Sequence, residues 1–306
     1  MSEVAPPIAQ PSKVVASDQR SVSRWGQDRR LEFVDFRLRW DGRINRSDLT
    51  AFFGISVPQA SLDIAKYLDL APNNVAYDRS SKVYLATDAF KPLYPANHPD
   101  RYLNELLART TGVLQPELSF LGWTPPAASV PSPARALQVD TLVALLSAIR
   151  NATAVVIVYQ SMSSTEPERR TVAPHALGHD GFRWHVRAYC QSRLTFRDFV
   201  IARILNIEDT RTPGTDGKDD DAWHRHIRLV LAPNPELPEA IRRVVELDYG
   251  MNAGAVSLDC RQALLFYSLK RLGLLDVQPG QPHVQQIVLR NREEIAPFLP
   301  GNTAAR

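Results

Sequence analysis

Arginine is concentrated in one stretch of the sequence, residues 150–203. This stretch contains eight arginines and no lysine, against four acidic residues. Lysine would serve solubility equally well, whereas a guanidinium group makes planar, bidentate contacts with phosphate or carboxylate. Three histidines and two tyrosines in the same stretch could stack on a nucleobase. These residue types predict a site for an anionic ligand.

The segments that carry these side chains are short and rich in β-branched and aromatic residues. They span residues 155–161, 169–175, 182–190 and 196–204, with turn-forming residues between them. This pattern predicts consecutive antiparallel strands. A helix capped by Asp140 precedes them, and residues 226–231 offer a fifth strand. One helix and five strongly bent strands predict an Sm-like small β-barrel.

Side chains alternate between the two faces of a strand, so the sequence also predicts which residues share a face. Arg187 and Tyr189 lie opposite Trp184, for which core packing is favoured over stacking on a ligand. Arg169 has the same parity as His175. The predicted polar pocket consists of Tyr159, Ser161, Arg169, His175, Arg187 and Tyr189. In the alternative, the arginines face solvent or pair with Glu166, Glu168, Asp180 and Asp198.

Several spaced signatures in this region resemble the WYL domain of bacterial transcriptional regulators. Trp184-His185-Val186 stands where the family has Trp-Tyr-Leu, and residues 196–204 are similar to its closing strand. Residues 174–177 and 183–190 look most like the BrxR/CapW-type regulators of phage-defence islands. The resemblance implies an Sm-like barrel, and it adds Arg197 and Arg203 to the ligand-binding residues.

The first hundred residues carry a helix-turn-helix pattern. Apolar residues recur at helical spacing up to Gly42. Asn45 is a good N-cap for a second, short helix, which Gly54 stops. Ser56 and Gln59 then match a capping box for a third helix. Two helices joined by a short turn with a glycine predict a helix-turn-helix, with the second as the recognition helix.

A β-hairpin with a basic, hydroxyl-rich tip is predicted to follow as a wing. Residues 75–77 and 83–85 alternate in character, and the tip reads Asp-Arg-Ser-Ser-Lys. Such modules also bind proteins, but the WYL resemblance favours DNA, because that domain is usually fused to a DNA-binding one. We expect Gln59 to read an adenine edge and the basic residues to contact phosphates. The candidate DNA-binding residues are Arg43, Arg46, Ser56, Gln59, Ser61, Lys66, Arg79 and Lys82.

The composition bounds the class of protein. A hydrophobic fraction of 44% and a charged fraction of 23% are typical of a soluble globular chain. The net charge of +3 is too small to indicate a nucleic-acid partner by itself. Cys190 and Cys260 fit neither a disulfide framework nor a zinc site, which favours a reduced, cytoplasmic compartment. No apolar run is long enough for a membrane span.

Patterns typical of enzymes are incomplete in this chain. His224 and His226 could be two metal ligands on one strand face, but no nearby cysteine or spaced acid completes the set. No G-x-S-x-G motif, phosphate-cradling glycine loop or dinucleotide fingerprint occurs. We therefore expect no catalytic residues, no metal and no cofactor.

The sequence predicts an α+β multidomain protein. The predicted segments are a flexible arm (1–24), a winged helix-turn-helix domain (25–95), a helical, proline-rich linker (96–134), the WYL domain (135–212) and a C-terminal extension (222–306). Residues 212–221 have the composition of a flexible loop. Helices and strands alternate in the extension, and in WYL regulators such a small α/β domain commonly helps to dimerise the protein.

These observations predict a homodimeric, ligand-responsive transcription factor, a repressor of a phage-defence operon. Two winged helices would bind the halves of an inverted repeat in double-stranded DNA. The barrel would sense a nucleotide or nucleic-acid fragment, which changes DNA affinity only if it prefers one dimer arrangement. Two alternatives stay open: an RNA-binding or RNA-processing accessory protein that uses the Sm-like barrel, and a protein-interaction scaffold.

Overall fold

The computed structural model describes residues 14–94, 98–133, 136–212, 215–275 and 280–299. The chain divides into two compact units, Met1–Pro131 and Ser132–Arg306. Among the described residues, every helix is too short or too polar to cross a lipid bilayer.

The N-terminal unit combines α-helices with a small antiparallel sheet. Its helices are α1 (Val14–Asp41), α2 (Arg46–Phe53), α3 (Val57–Leu70) and α4 (Pro99–Thr110), followed by a 3₁₀ turn at Pro116–Leu118. Its strands are β1 (Arg43–Ile44), β2 (Val75–Asp78) and β3 (Val83–Ala86), in the order β1-β3-β2. Helices α2 and α3 with the β2–β3 hairpin form a winged helix-turn-helix, as predicted.

Side-chain caps begin both helices of the helix-turn-helix. Asn45 accepts a hydrogen bond from the Asp48 backbone N–H (2.9 Å), and Asp48 accepts one from the Asn45 N–H (2.8 Å). Gly54 ends α2 with φ +65°, in the left-handed region that favours glycine. Ser56 caps α3 by accepting from the Gln59 N–H (3.3 Å). The reciprocal half of this predicted box does not form, because the Gln59 side chain turns to a buried carboxylate on α3.

Buried carboxylates fix the orientation of α3 against α1. Asp63 of α3 is fully buried and accepts two hydrogen bonds from the Arg30 guanidinium (2.6 and 3.3 Å). Asp35 of α1 accepts one from the Tyr67 hydroxyl (2.6 Å). Burial, together with the Asp35 carboxylate, raises the pKa of Tyr67 well above its usual range. The hydroxyl therefore stays protonated and holds the two helices together.

The core of the N-terminal unit is aromatic and extends into the region predicted as a linker. Phe33 of α1 stacks on Phe52 of α2 (ring centroids 4.8 Å apart) and meets Phe120 edge-on (5.1 Å). Phe120 and Leu121 are buried, and Tyr102 of α4 packs against the same core. Residues through Leu121 thus belong to this unit, because burial of their large apolar side chains stabilises the same core.

Helix α1 begins earlier than predicted. A flexible arm was expected over residues 1–24, whereas α1 begins at Val14. The prolines of the arm, Pro6, Pro7 and Pro11, all precede Val14, so no proline interrupts the chain from there onward to Asp41. Residues 1–13 lie outside the described part of the chain.

The second unit begins with α5 (Val139–Arg150), which packs on an antiparallel sheet. Its strands are β4 (Ala154–Tyr159), β5 (Glu168–His179), β6 (Trp184–Cys190), β7 (Thr195–Val200) and β8 (Ile204–Arg211). They pair in the order β7-β6-β5-β4-β8, and no ladder joins β7 to β8 among the described residues, so backbone hydrogen bonds do not close the sheet into a barrel. Leu145 of α5 is buried against Ile157 and Val186 of the sheet.

The fifth strand of this sheet differs from the prediction. It is β8, whereas residues 226–231 belong to another sheet. The sequence did not predict β8, because polar residues such as Asn206 and Glu208 interrupt its apolar pattern. It is an edge strand with an exposed face. The segment 196–204 was expected as one strand, but a 3₁₀ turn at Ile201–Arg203 divides β7 from β8.

The connection to the C-terminal sheet is structured where a flexible loop was predicted. After residues 213–214, which lie outside the described part, it forms a 3₁₀ turn at Gly217–Asp219 and the short helix α6 (Asp221–His224). Asp220 between them is buried, and its carboxylate accepts a hydrogen bond from the Trp223 N–H (3.2 Å). Aspartate and glycine are typical of loops, but here the aspartate side chains cap local turns.

The rest of the second unit is the small α/β domain that the sequence predicted. Its strands are β9 (His226–Pro233), β10 (Val256–Arg261) and β11 (Ile287–Leu289), in the order β10-β9-β11. Its helices are α7 (Glu239–Asp248), α8 (Leu265–Arg271) and α9 (Arg292–Ile295). Leu229 and Leu231 of β9 are buried with Leu265 and Leu269 of α8, so this domain has its own core.

Candidate DNA-binding surface and effector pocket

The polar residues at the front of α3 are engaged within the N-terminal unit. Gln59 Nε2 donates to Asp63 Oδ1 (3.1 Å), and the Ser61 hydroxyl donates to the Val57 carbonyl (3.0 Å). Ser56 Oγ accepts from the backbone of Gln59. The bond to Asp63 uses one of the two N–H groups of the Gln59 amide, so a bidentate contact with adenine must use the other N–H or replace this bond.

The tip of the β2–β3 hairpin is exposed and basic. Asp78 closes the turn by accepting hydrogen bonds from the Ser80 N–H (2.9 Å) and the Ser81 hydroxyl. The Ser81 bond, with that from Ser80, lowers the pKa of Asp78. Arg79 and Lys82 are exposed and have no acidic partner among the described residues. Their charges are therefore available to an anionic surface.

The remaining predicted DNA-binding cations fall into two kinds. Arg46 donates to the Tyr84 hydroxyl (3.0 Å) and lies over its ring, which ties α2 to β3. Arg43 and Lys66 are exposed, and neither has an ion-pair partner in the described part of the chain.

In the second unit, Arg187 and His175 meet at one buried carboxylate. Arg187 Nε and Nη2 donate to the two oxygens of Asp220 (2.7 and 3.0 Å), and Nη1 donates to Asp198 (3.2 Å). His175 Nε2 lies 3.0 Å from Asp220 Oδ2. His175 reaches this point from a β-bulge, since the β5–β6 register shifts between Pro174 and Ala176.

The two carboxylates neutralise the Arg187 charge. Burial disfavours the charged form of Asp220, but the hydrogen bonds from His175 and Arg187 prevail and hold the pKa of Asp220 well below its usual range. Burial also opposes the charge on Arg187, yet Asp220 and Asp198 raise the pKa of the guanidinium above its ordinary value. An anion can bind Arg187 bidentately only by replacing a carboxylate that is already there.

This network continues into the C-terminal domain. Asp198 Oδ2 accepts from the Tyr267 hydroxyl of α8 (3.2 Å). The Tyr267 ring lies 4.9 Å from that of His185, whose Nε2 is 2.9 Å from Asp180. Burial raises the pKa of Tyr267, and Asp198 adds to this effect. Arg187 is thus linked through Asp198 to the helix α8.

Tyr189 borders this site, but Tyr159 and Ser161 do not. The Tyr189 ring meets Phe196 edge-on (5.2 Å), and Phe196 in turn meets His175 (5.4 Å). Tyr159 is 6% exposed within the hydrophobic core, and its hydroxyl accepts from the backbone of β7. Ser161 bonds Ser163 in the turn after β4. Tyr159 therefore supports the sheet, contrary to its predicted place in a polar pocket.

The other predicted arginines lie apart from Arg187. Arg169 is exposed and pairs with Glu208 of β8 (2.7 Å). It precedes His175 by six residues, about 20 Å along an extended strand, so equal parity does not make them neighbours. Arg197 is exposed on the edge strand β7, Arg203 is half-buried beyond it, and neither has an acidic partner among the described residues.

Trp184 is not in the core, which corrects the sequence prediction. Its side chain is 47% exposed and its ring lies 4.9 Å from that of His179 at the end of β5. Val186, Ala188 and Cys190 share its parity and are fully buried. Trp184 is the first residue of β6, and parity assigns a face but does not say how far the core extends along the strand.

A cleft of about 600 Å³ opens beside His175. The Trp223 ring meets the His175 ring edge-on there, with centroids 5.9 Å apart. Aromatic rings next to a lysine suit a nucleobase and a phosphate. Besides His175, the cleft is lined by Ile149 and Thr153 near the end of α5 and by the connection, which contributes Lys218, Trp223 and His224 together with the carboxylates of Asp216 and Asp219.

Comparison with known proteins assigns each region. The BrxR transcriptional regulator winged helix-turn-helix domain matches residues 26–108, the WYL domain matches 140–209, and the BrxR transcriptional regulator C-terminal dimerization domain matches 226–295. The DNA-binding transcriptional repressor CapW of Escherichia coli (strain KTE188) is 48% identical over 284 residues, which cover 92% of this chain and 94% of that one. CapW of Pseudomonas aeruginosa is 47% identical over 287 residues, covering 92% and 95%. The chain belongs to the CapW family.

Membership of the CapW family confirms the resemblance read from the WYL signatures. It also confirms the three-part architecture of winged helix, WYL domain and C-terminal domain. The winged-helix match extends to residue 108 and so includes most of α4, which the sequence had assigned to the linker.

Three residues around Arg187 were not among the functional residues predicted from the sequence. Asp220 was assigned to a flexible loop, Tyr267 was given no role, and Asp198 was a possible arginine partner. That alternative is confirmed for Arg187 with Asp198, Arg183 with Asp180 and Arg170 with Glu168. A signal for Asp220 did exist, since it lies in a run of acids that follows an arginine-rich sheet without lysine.

Proposed function

We propose that this protein is a homodimeric, sequence-specific transcriptional repressor that an anionic effector releases from DNA. The observation that carries the proposal is the winged helix-turn-helix, with an exposed recognition helix and a basic wing tip, in a chain 48% identical to a DNA-binding repressor. The CapW relatives named above are repressors, and their alignments cover 92% of this chain. We propose the same activity for this protein.

DNA binding rests on the unpaired cations of the N-terminal unit. Lys66, Arg79 and Lys82 are exposed without acidic partners in the described chain, so neutralising them releases counterions from DNA at no cost in broken ion pairs. Arg43 is exposed as well, although its charge also acts on Asp41. Arg46 is held by Tyr84 and adds its charge from a fixed position. Ser56, Gln59 and Ser61 stand at the front of α3, nearest the base edges in this arrangement.

Dimerisation is proposed through helix α7. Ile241, Val244 and Leu247 recur every three residues on that helix and are all exposed, while Val245 is buried beneath them. An apolar stripe on a helix of a domain matched by a dimerization model fits a second copy of the chain. A two-fold dimer would present two recognition helices to an inverted repeat.

The effector is proposed to be a nucleotide or nucleic-acid fragment that binds beside His175. The cleft there offers aromatic rings and Lys218, which an anion would share with Asp216 (3.8 Å away). Arg187 lies behind His175 with its guanidinium held by Asp220. A phosphate that competes with Asp220 for Arg187 would loosen the connection between the WYL and C-terminal domains. The regulated genes are proposed to be a phage-defence operon, as in the BrxR/CapW-type regulators that the sequence resembles.

A mobility-shift comparison tests the proposed function. The full chain is titrated against the duplex upstream of its own gene, a scrambled duplex and a single-stranded RNA of equal length at matched salt. Tight binding to the upstream duplex alone is expected. Preference for RNA would favour the accessory-protein alternative, and binding to none of the three would favour a protein-interaction scaffold.

A further inference from the structure

The outward face of the recognition helix is apolar over its first two turns, and Asp69 follows on the same face in the last turn. Pro58, Leu62 and Ala65 follow one another at i, i+4 and i+7, the spacing that places side chains on one face of a helix. All three are exposed, and the Leu62 side chain is 63% exposed. They lie opposite Ala60, Ile64 and Tyr67, which are buried against the rest of the unit. The stripe centred on Leu62 is thus the part of α3 that points away from the protein.

The polar side chains that flank this stripe are already hydrogen-bonded within the unit, and these bonds compete with base reading. Gln59 is bonded to Asp63, and Ser61 is bonded to the Val57 carbonyl one turn back. Lys66 follows Leu62 by one turn, is exposed and has no acidic partner among the described residues. A lysine so placed suits a phosphate, which leaves the apolar stripe to face the floor of a groove.

We propose that Leu62, supported by Pro58 and Ala65, determines operator specificity by contacting the 5-methyl groups of thymines in the major groove. This inference rests on the proposed DNA-binding function and names what the recognition helix selects. Thymine is the base whose major-groove edge presents an apolar group, and apolar side chains pack against it. Against guanine, cytosine or adenine at the same position, the leucine would strip water from a polar edge without offering a hydrogen bond.

Selection follows from both effects together. Burying the thymine methyl against Leu62 favours the correct base, and the desolvated polar edge disfavours the others. Each half of the operator should therefore contain one or two thymines that no hydrogen-bonding side chain reads. A protein partner for the same stripe is less consistent with the exposed cations Lys66, Arg79 and Lys82 of this unit.

Replacing thymine by uracil tests the contact, because it removes the methyl group and nothing else. An operator is first selected from a random duplex pool with the full-length protein, and each thymine of one half-site is then changed to uracil. For the wild type, affinity should fall about fourfold at one or two positions, the value for one buried methyl group. With Leu62→Ala, the same uracil changes should have no effect.

Two variants serve as controls for this experiment. Leu62→Met keeps an apolar side chain of similar size and should retain the uracil effect. Lys66→Ala should weaken binding to every duplex while leaving the uracil effect intact. Because Leu62 is exposed, its replacement should leave the unfolding temperature unchanged.

The possible failures are distinguishable. If no sequence is enriched from the pool, the proposed function fails, and this inference fails with it. If a sequence is enriched but uracil is tolerated at every thymine, or if Leu62→Ala retains the full uracil effect, the repressor proposal stands and thymine reading by Leu62 is overturned.

Discussion

Arg187 donates two hydrogen bonds to Asp220 (2.7 and 3.0 Å), and this pair joins the WYL sheet to the segment that leads into the C-terminal domain. The guanidinium is also held by Asp198, whose second oxygen accepts from Tyr267 of α8. The most central arginine of the predicted ligand site therefore has internal partners. Any effector that binds the Arg187 guanidinium must compete with Asp220. Such competition would weaken the hydrogen bonds between the WYL sheet and the connecting segment.

Replacing Asp220 should destabilise the second unit. Asp220→Asn removes the charge that compensates Arg187 but leaves Asp198 in place, so we expect a loss of about 1 to 3 kcal/mol in the free energy of unfolding. Urea denaturation followed by circular dichroism measures it. Asp219→Asn is the matched control, because Asp219 is exposed and should change stability by less than about 0.5 kcal/mol. Equal stability of the two variants would mean that the Arg187–Asp220 pair contributes nothing.

Adding a methyl group at Gly217 should displace the connecting segment without removing a charge. A Cβ at Gly217 would lie 2.5 Å from His175 Cβ, which is too close for both atoms to keep their positions. Gly217→Ala should therefore expose the segment, and trypsin should cleave after Lys218 several times faster than in the wild type. Asp221→Ala, an exposed change in the same segment, provides the control. An unchanged cleavage rate would indicate that the segment is already loose.

Acid should weaken the same pair. The folded-state pKa of Asp220 is depressed below its ordinary value of 3.8, so its contribution to stability is complete above about pH 4 and is lost as the pH falls toward the folded-state pKa. The pKa of Asp180 is depressed in the same direction, and it adds to the loss. Urea midpoints measured from pH 6 to pH 3 should fall steeply below pH 4 in the wild type. The fall should be smaller in Asp220→Asn, and parallel curves would contradict the assignment.

Charge on the α7 stripe should separate the dimer. Val244→Glu places a carboxylate in the proposed interface, where it cannot keep its water, so the protein should sediment as a monomer at micromolar concentration. Operator affinity should then fall on the order of 100-fold, because the two half-sites are no longer bound together. Glu239→Ala, an exposed change on the other side of the same helix, should leave both measurements unchanged. A dimer that survives Val244→Glu would place the interface elsewhere.

The wing tip should act through phosphates and without regard to sequence. Arg79→Ala and Lys82→Ala should each reduce the slope of log affinity against log salt by about 0.9. Affinity for the operator and for a scrambled duplex should fall by the same factor, as measured by fluorescence anisotropy at several salt concentrations. A loss confined to the operator would indicate that these residues read bases.

Much of the fold could be predicted because it follows from local patterns. Asn45, Gly54 and Ser56 set the limits of α2 and α3 through their own backbone and side-chain chemistry, which the sequence displays directly. The same holds for the hairpin tip and for the alternation of helices and strands after residue 226. β8 was missed because an edge strand with polar residues lacks the apolar pattern that identifies buried strands.

The sequence by itself determined the order of the domains and the family, since both depend on residues close together in the chain. Only the tertiary structure decided which charges meet. Arg187 and Asp220 are 33 residues apart, and their hydrogen bonds depend on where the connecting segment packs, which no strand parity can state. In the tertiary structure, Trp184 also lies outside the core, Gln59 is hydrogen-bonded to Asp63, and Leu62 is exposed on the outward face of α3. Alternation and helical spacing give the direction of a side chain, whereas its neighbours and its exposure depend on segments distant in sequence.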